Sequence, residues 1–152
     1  MLSHGSSRWK VTTVRRGFSA IELTIVVGVV SVLSAIAMPA MVGLLDHMRV
    51  SAAVAEIESL FGAARHIAIA RGTNATVEID TANGIVAVTV GGDTVRRGEP
   101  RIEHGVDVST NRASMSYAAT GIGYGAANLS VVVRKGSIAD TIVVSRLGRV
   151  RH

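Results

Sequence analysis

The chain has 152 residues, enough for one modest domain and an appendage. It contains no cysteine, which excludes disulfides and thiolate metal sites, and only 3% aromatic residues, so Val, Ile and Ala must fill the core. The formal charge of +5 is unevenly spread, with Arg8, Lys10, Arg15 and Arg16 placing +4 ahead of Phe18. Residues 46–133 set seven arginines against nine acids, and beyond them Arg134, Lys135, Arg146, Arg149 and Arg151 face Asp140 alone. Without the segment that precedes Phe18 the chain is nearly neutral, with its positive charge gathered at the C-terminus.

After the basic leader comes GFSAIELTIVVGVVSVLSAIAMPAM, residues 17–41. The run from Leu23 to Leu45 carries no charge. At ~1.5 Å per helical residue it is long enough to cross a hydrocarbon layer of about 30 Å. The excess of Arg and Lys before it predicts a cytoplasmic N-terminus and an exported C-terminal part. A secretory signal peptide would carry a shorter apolar region followed by a small-residue cleavage site. Here the candidate processing site, RRGFSAIE, precedes the apolar run. Glu22 is costly in such a run unless it finds a partner. Cleavage after Gly17 would create an amine on Phe18, one helical turn from Glu22 in the same chain. In an oligomer the same carboxylate could meet the amine of a neighbour. An ordinary signal-anchor helix with a snorkelling Glu22 is the plainer alternative.

The leader, Gly17, Phe18, Glu22 and Pro39 together resemble the signature of type IV prepilins and pseudopilins. The resemblance implies that a prepilin peptidase cuts after Gly17 and N-methylates Phe18. It also implies that Glu22 guides docking with other pilins in a filament. The expected organisation is a cleaved leader at 1–17, a transmembrane and assembly helix at 18–45, and an exported domain at 46–152.

Pro39 and Gly43 should kink or loosen the helix near the membrane exit. Val50, Val54, Ile57, Phe61, Ala64 and Ala68 then recur at helical spacing and predict one apolar stripe. Arg71-Gly72 is the expected stop. Beyond it ATVEID and IVAVTV read as strands joined through Asn83-Gly84, a hairpin signal, and Gly91-Gly92-Asp93 marks another turn. RIEHGVDVS, ASMSYAA, LSVVVRK and ADTIVVS complete the strand set. The fold class is α+β, a long N-terminal helix packed on a largely antiparallel sheet.

The chain ends in SRLGRVRH. In an extended segment Arg149 and Arg151 share a face, about 6–7 Å apart, while Val150 points the other way. Two guanidinium forks suit a polyanion, and Gly148 permits a bend or close approach. Arg146, Arg134 and Lys135 would widen the patch if the last two strands are neighbours. VVVRKGS, TIVVS and GRVR resemble the end of the GspH/FimT family of minor pilins and pseudopilins, whose members often carry cysteines that are absent here. In the FimT branch a Gly-Arg-x-Arg tail is associated with DNA binding in natural transformation, and Gly148, Arg149 and Arg151 match it. With Tyr117 and Tyr124 the only aromatics in the sheet region, the expected contact is sequence-independent and made to phosphates. The plainer alternatives are that the arginines solubilise a sheet edge, or belong to the general family pattern shared with secretion pseudopilins.

Other chemistry is thinly supported. GIGYG at 121–125 lacks a phosphate-binding fingerprint and reads as a mobile loop. His4, His47, His66, His104 and His152 show no metal-ligand spacing, so no metal or cofactor is expected. Glu56 and Glu58 diverge on a helix, whereas Glu78 and Asp80 share a strand face more suited to solvent than to acid–base work. With no recognisable nucleophile motif, the expectation is a non-enzyme placed in the bacterial inner membrane, then in a pilus or pseudopilus. Its expected partners are other pilins, prepilin peptidase, membrane and DNA. Two rivals to a DNA-capturing pilin remain: a type II secretion pseudopilin, and a minor pilin that primes assembly without touching DNA.

Overall fold

The computed structural model describes residues 17–124, 128–145 and 147–151. The basic residues of the leader before Gly17, and Arg146 of the expected patch, lie outside them. The chain divides into two compact units between Met38 and Pro39.

In the first unit, helix α1 (Ala20–Arg71) begins directly after Ser19. The Ser19 backbone N–H donates to Glu22 Oε2 at 3.4 Å. Ser19-Ala20-Ile21-Glu22 is thus a capping pattern, in which an acid near the helix start satisfies an otherwise free amide. Thr24 and Ser31 donate their hydroxyls to the Ala20 and Val27 carbonyl oxygens, so neither adds an unmet polar group to the apolar surface. Every residue from Gly17 to Met38 is exposed, and α1 is long and apolar enough there to cross a membrane.

In the second unit α1 continues without a break through Pro39 and Gly43. All members of the expected stripe are buried, joined by Ala53 and Leu60. The helix stops where the sequence predicts. Gly72 takes φ 60°, its N–H reaches the Ile69 carbonyl, and the Thr73 N–H reaches the Ala68 carbonyl, the paired bonds of a Schellman motif.

Two antiparallel sheets follow, not one. The first has the order β3-β2-β1-β5-β6, from β1 (Ala75–Asp80), β2 (Ile85–Val90), β3 (Asp93–Gly98), β5 (Ser114–Tyr117) and β6 (Gly123–Tyr124). The second has the order β4-β7-β8-β9, from β4 (Asp107–Thr110), β7 (Leu129–Lys135), β8 (Ile138–Val144) and β9 (Val150–Arg151). Alternating residues of both sheets, among them Val77, Val86, Val88, Val131, Val133, Ile142 and Val144, join the α1 stripe in one core. All residues of that buried core lie between Val50 and Val144, so the second unit carries its own core.

RIEHGVDVS is not one strand. Pro100–His104 forms a short helix, α2, before β4 begins at Asp107. Pro100 supplies a preset φ where no amide bond is needed, and Gly105 ends the helix at φ 62° and ψ 39°. DTVRRG, unassigned from sequence, is the edge strand β3. GIGYG is not simply a mobile loop. Gly121 closes a turn by donating to the Ala118 carbonyl, and Gly123 and Tyr124 form β6, while Gly125 lies outside the described residues.

A basic groove at the C-terminal turn as candidate site

The tail is built as a turn fastened to β8. Ser145 N–H donates to the Arg149 carbonyl and Gly148 N–H to the Ser145 carbonyl, both at 2.8 Å. Ser145 Oγ accepts from the Arg149 N–H at 3.2 Å. The returning strand then pairs Val144 with Val150 and Val143 with Arg151. Val150 packs against the core. Arg149 and Arg151 are exposed, and both line a groove of about 340 Å³ with Asn128, Val143, Ser145 and Leu147. Neither guanidinium pairs with a carboxylate among the described residues.

Gly148 is buried at φ 74°, a conformation that penalises any Cβ. A Cβ there would stand 2.8 Å from Tyr117 Cε1 and 3.4 Å from the Gly121 carbonyl oxygen. The glycine of the Gly-Arg-x-Arg sequence therefore lets the tail turn lie directly on the Tyr117 ring. Tyr117 is wholly buried, and its hydroxyl has no hydrogen-bond partner among the described residues. Burial pushes its pKa up to about 12, against a smaller downward pull from Arg65. An unfolded tyrosine ionises near 10, so the unfolded chain loses this proton first. Stability should therefore fall as pH rises from about 10 to about 12, and Tyr117→Phe should remove most of that slope in urea titrations.

The structure does not bring Arg134 or Lys135 into the groove, and Arg146 lies outside the described residues. Arg134 pairs with Ala139, while Arg151 pairs with Val143, about 13 Å farther along β8. Both arginines are exposed on the solvent side of the sheet. Lys135 turns inward, with Nζ donating to the Gly105 carbonyl at 2.6 Å and lying 3.5 Å from that of His104. It caps the C-terminal end of α2, a favourable place for a cation. Lys135→Met should lower thermal stability by about 1 kcal/mol yet leave DNA affinity almost unchanged.

Of the acidic pair on β1, Asp80 is structural. Asp80 accepts from the backbone amides of Ala82 and Asn83 and from Asn83 Nδ2, which holds its pKa below the usual carboxylate value. These bonds hold the β1–β2 turn. A constellation that sequence spacing missed joins Glu56 of α1 to Glu103 and His104 of α2. His104 Nε2 is 3.2 Å from Glu56 Oε2. That oxygen is shielded from solvent and, among the described residues, accepts no well-formed hydrogen bond. Burial, and then the Glu103 charge, raise the Glu56 pKa, with His104 opposing them.

An exposed apolar helical segment, continued by an amphipathic helix packed on antiparallel sheets, is the architecture of a type IV pilin-like subunit. The chain belongs to the GspH family, described as type II transport protein GspH, whose model matches residues 53–148. Membership makes it a minor pilin or pseudopilin and implies assembly with other subunits of that class. Among solved structures it is similar to the type IV minor pilin FimU of Pseudomonas aeruginosa in two crystal forms. One aligns at TM-score 0.59 and 12% identity, covering 71% of this chain and 90% of that one. The other aligns at TM-score 0.55 and 11% identity, covering 66% and 90%. The minor pseudopilin EpsH from the type 2 secretion system of Vibrio cholerae aligns at TM-score 0.49 and 10% identity, covering 66% and 91%. At these identities the FimU likeness speaks to fold alone. No curated protein sequence matches the chain.

Proposed function

We propose that this is a minor type IV pilin that captures DNA through its C-terminal groove during natural transformation. The observation that carries this reading is the pair Arg149 and Arg151, both exposed and lining one groove on a turn anchored to the sheet and the Tyr117 ring. Guanidinium forks carried on an anchored backbone hold phosphate oxygens with less backbone ordering than a free tail would need. Among the described residues neither an aromatic platform nor a helix lines the groove, and Tyr117 beneath the turn is buried. The contact is therefore with the phosphate backbone, sequence-blind and weak per subunit. Arg134 and Arg146 add cations outside this pair.

The rest of the life cycle follows from the N-terminal segment. The prepilin sits in the inner membrane as a single pass with its leader in the cytoplasm and its C-terminal domain in the periplasm. Prepilin peptidase cuts between Gly17 and Phe18 and methylates the new Phe18 amine. Glu22, which the Ser19 amide satisfies in the isolated chain, is then available to a neighbouring pilin's N-terminus. The protein acts by binding, with no catalytic step.

The family description supports a second reading, a pseudopilin of a type II secretion filament whose sheets contact only other subunits. Titration of residues 46–152 with unrelated duplexes at two salt concentrations separates the two. Salt-sensitive, sequence-blind binding supports capture. Absence of binding by the folded domain at low salt leaves the secretion or assembly reading. Loss of piliation on deletion would mark an assembly role, whereas normal piliation with lost transformation would mark DNA capture.

A further inference from the structure

We propose that Glu56, Glu103 and His104 form a divalent transition-metal site, of the zinc type, that staples α2 to α1. One oxygen or ring nitrogen from each residue lies within 4.8 Å of the others. The His104 Nε2 to Glu56 Oε2 separation of 3.2 Å is close to the edge of a zinc tetrahedron, about 3.3 Å for bonds of about 2.0 Å.

Two further observations bear on a ligand. The first is Glu56 Oε2, which is shut off from solvent and, among the described residues, accepts no well-formed hydrogen bond although His104 Nε2 stands 3.2 Å away. A metal needs the nitrogen lone pair, and places two ligand atoms side by side without a proton between them. The second is a cradle. A Cβ on Gly98 would run into Glu56 Oε1 and stand 2.9 Å from Leu60 Cδ1, so the glycine leaves the room in which this carboxylate sits.

Charge favours a dication over a proton. Two carboxylates face one imidazole, and a protonated His104 offsets only one of them. A divalent ion offsets both and keeps the imidazole neutral. One nitrogen and two carboxylates suit zinc and its neighbours, whereas calcium prefers a larger shell made of oxygens alone. Glu103 is exposed, so water completes the coordination on that side.

The site is independent of DNA capture, since none of its residues lines the tail groove. The test uses the full chain in detergent, without a polyhistidine tag, stripped with chelator and dialysed against micromolar zinc sulfate. One zinc per chain and a raised melting temperature are expected, unaffected by excess calcium. Cobalt in place of zinc should give the visible absorption of a low-coordinate site. Glu103→Gln, an exposed change that leaves the fold intact, should weaken zinc binding about tenfold or more. The near-isosteric Glu56→Gln should do the same, while His66→Gln on the exposed surface should not. Zinc retention unchanged in Glu103→Gln and Glu56→Gln, displacement by calcium, or no stoichiometric zinc in the wild type would each overturn the proposal. If Glu56→Gln fails to fold, Glu103→Gln and the cobalt spectrum decide.

Discussion

Changing Arg149 and Arg151 together to Gln should abolish most DNA binding while the domain stays folded. Both side chains are exposed, and neither takes part in the buried core. The strand pairing of β9 uses backbone groups and the packing of Val150, all of which Gln leaves in place. Each phosphate neutralised releases counterions and contributes about 0.9 to the slope of log affinity against log salt. Removing both guanidinium groups should therefore reduce the slope by about 1.8, and affinity at low salt by about tenfold or more. The effect should be equal for unrelated duplexes, because a backbone contact carries no sequence information. A double variant that binds as the wild type does would assign these arginines to protein contacts or solubility.

Arg134 provides the contrast. It shares the solvent side of the sheet but stands about 13 Å away along β8, so it reaches a different phosphate or none. Neutralising it alone should cost at most one increment of slope. Its neighbour Lys135 has its ammonium committed to the end of α2. Two adjacent cations in sequence thus have different roles, because successive residues of a strand point to opposite sides.

That alternation also explains how much could be read before the fold was known. The helix stripe from Val50 to Ala68 was legible because every member repeats at helical spacing, and the Arg71-Gly72 stop because only glycine takes its φ cheaply. The β1–β2 hairpin was legible from Asn83-Gly84. RIEHGVDVS misled, since its Ile and Val residues suggested a strand, while Pro100 and Gly105, the start and stop of α2, carried the better signal. The edge strand β3 was hidden because Val95 is the only large apolar residue of DTVRRG, and an edge strand needs little burial. The division into two sheets was not legible, because nothing local in a strand says which neighbour it pairs with.

The sites divide in the same way. Arg149, Val150 and Arg151 are consecutive and alternate in direction, so their arrangement follows from strand geometry. The docking of Gly148 on Tyr117 joins positions far apart in sequence, and nothing in the spacing announces it. Glu56 and His104 stand on separate helices with the whole β1–β3 meander between them, so no local metal-ligand spacing announces them. Glu22 is legible as an anomaly in the apolar run, whereas its bond to the Ser19 amide, a capping pattern written in Ser19-x-x-Glu22, is a third role beside assembly and snorkelling.

Gly148→Val should weaken DNA binding by about tenfold or more while preserving both arginines. A β-branched side chain at φ 74° is strained by roughly 1–2 kcal/mol or more, and its Cβ would stand 2.8 Å from the Tyr117 ring. The tail has a cheap escape, because β9 is held to β8 only by the Val143–Arg151 and Val144–Val150 pairs. Releasing it exposes little core, so the melting temperature should fall by only a few degrees and the rest of both sheets should keep its amide protection. The arginines would then sit on a loose tail, and each residue ordered on binding costs about 1–2 kcal/mol of backbone entropy. The salt slope separates this variant from the arginine pair. Charge is unchanged, so the slope should stay near the wild-type value while the whole line drops. A Gly148→Val protein with wild-type affinity would mean that DNA binds an already detached tail and that the turn on Tyr117 serves the fold alone. A reduced slope would mean that the released arginines no longer reach phosphate.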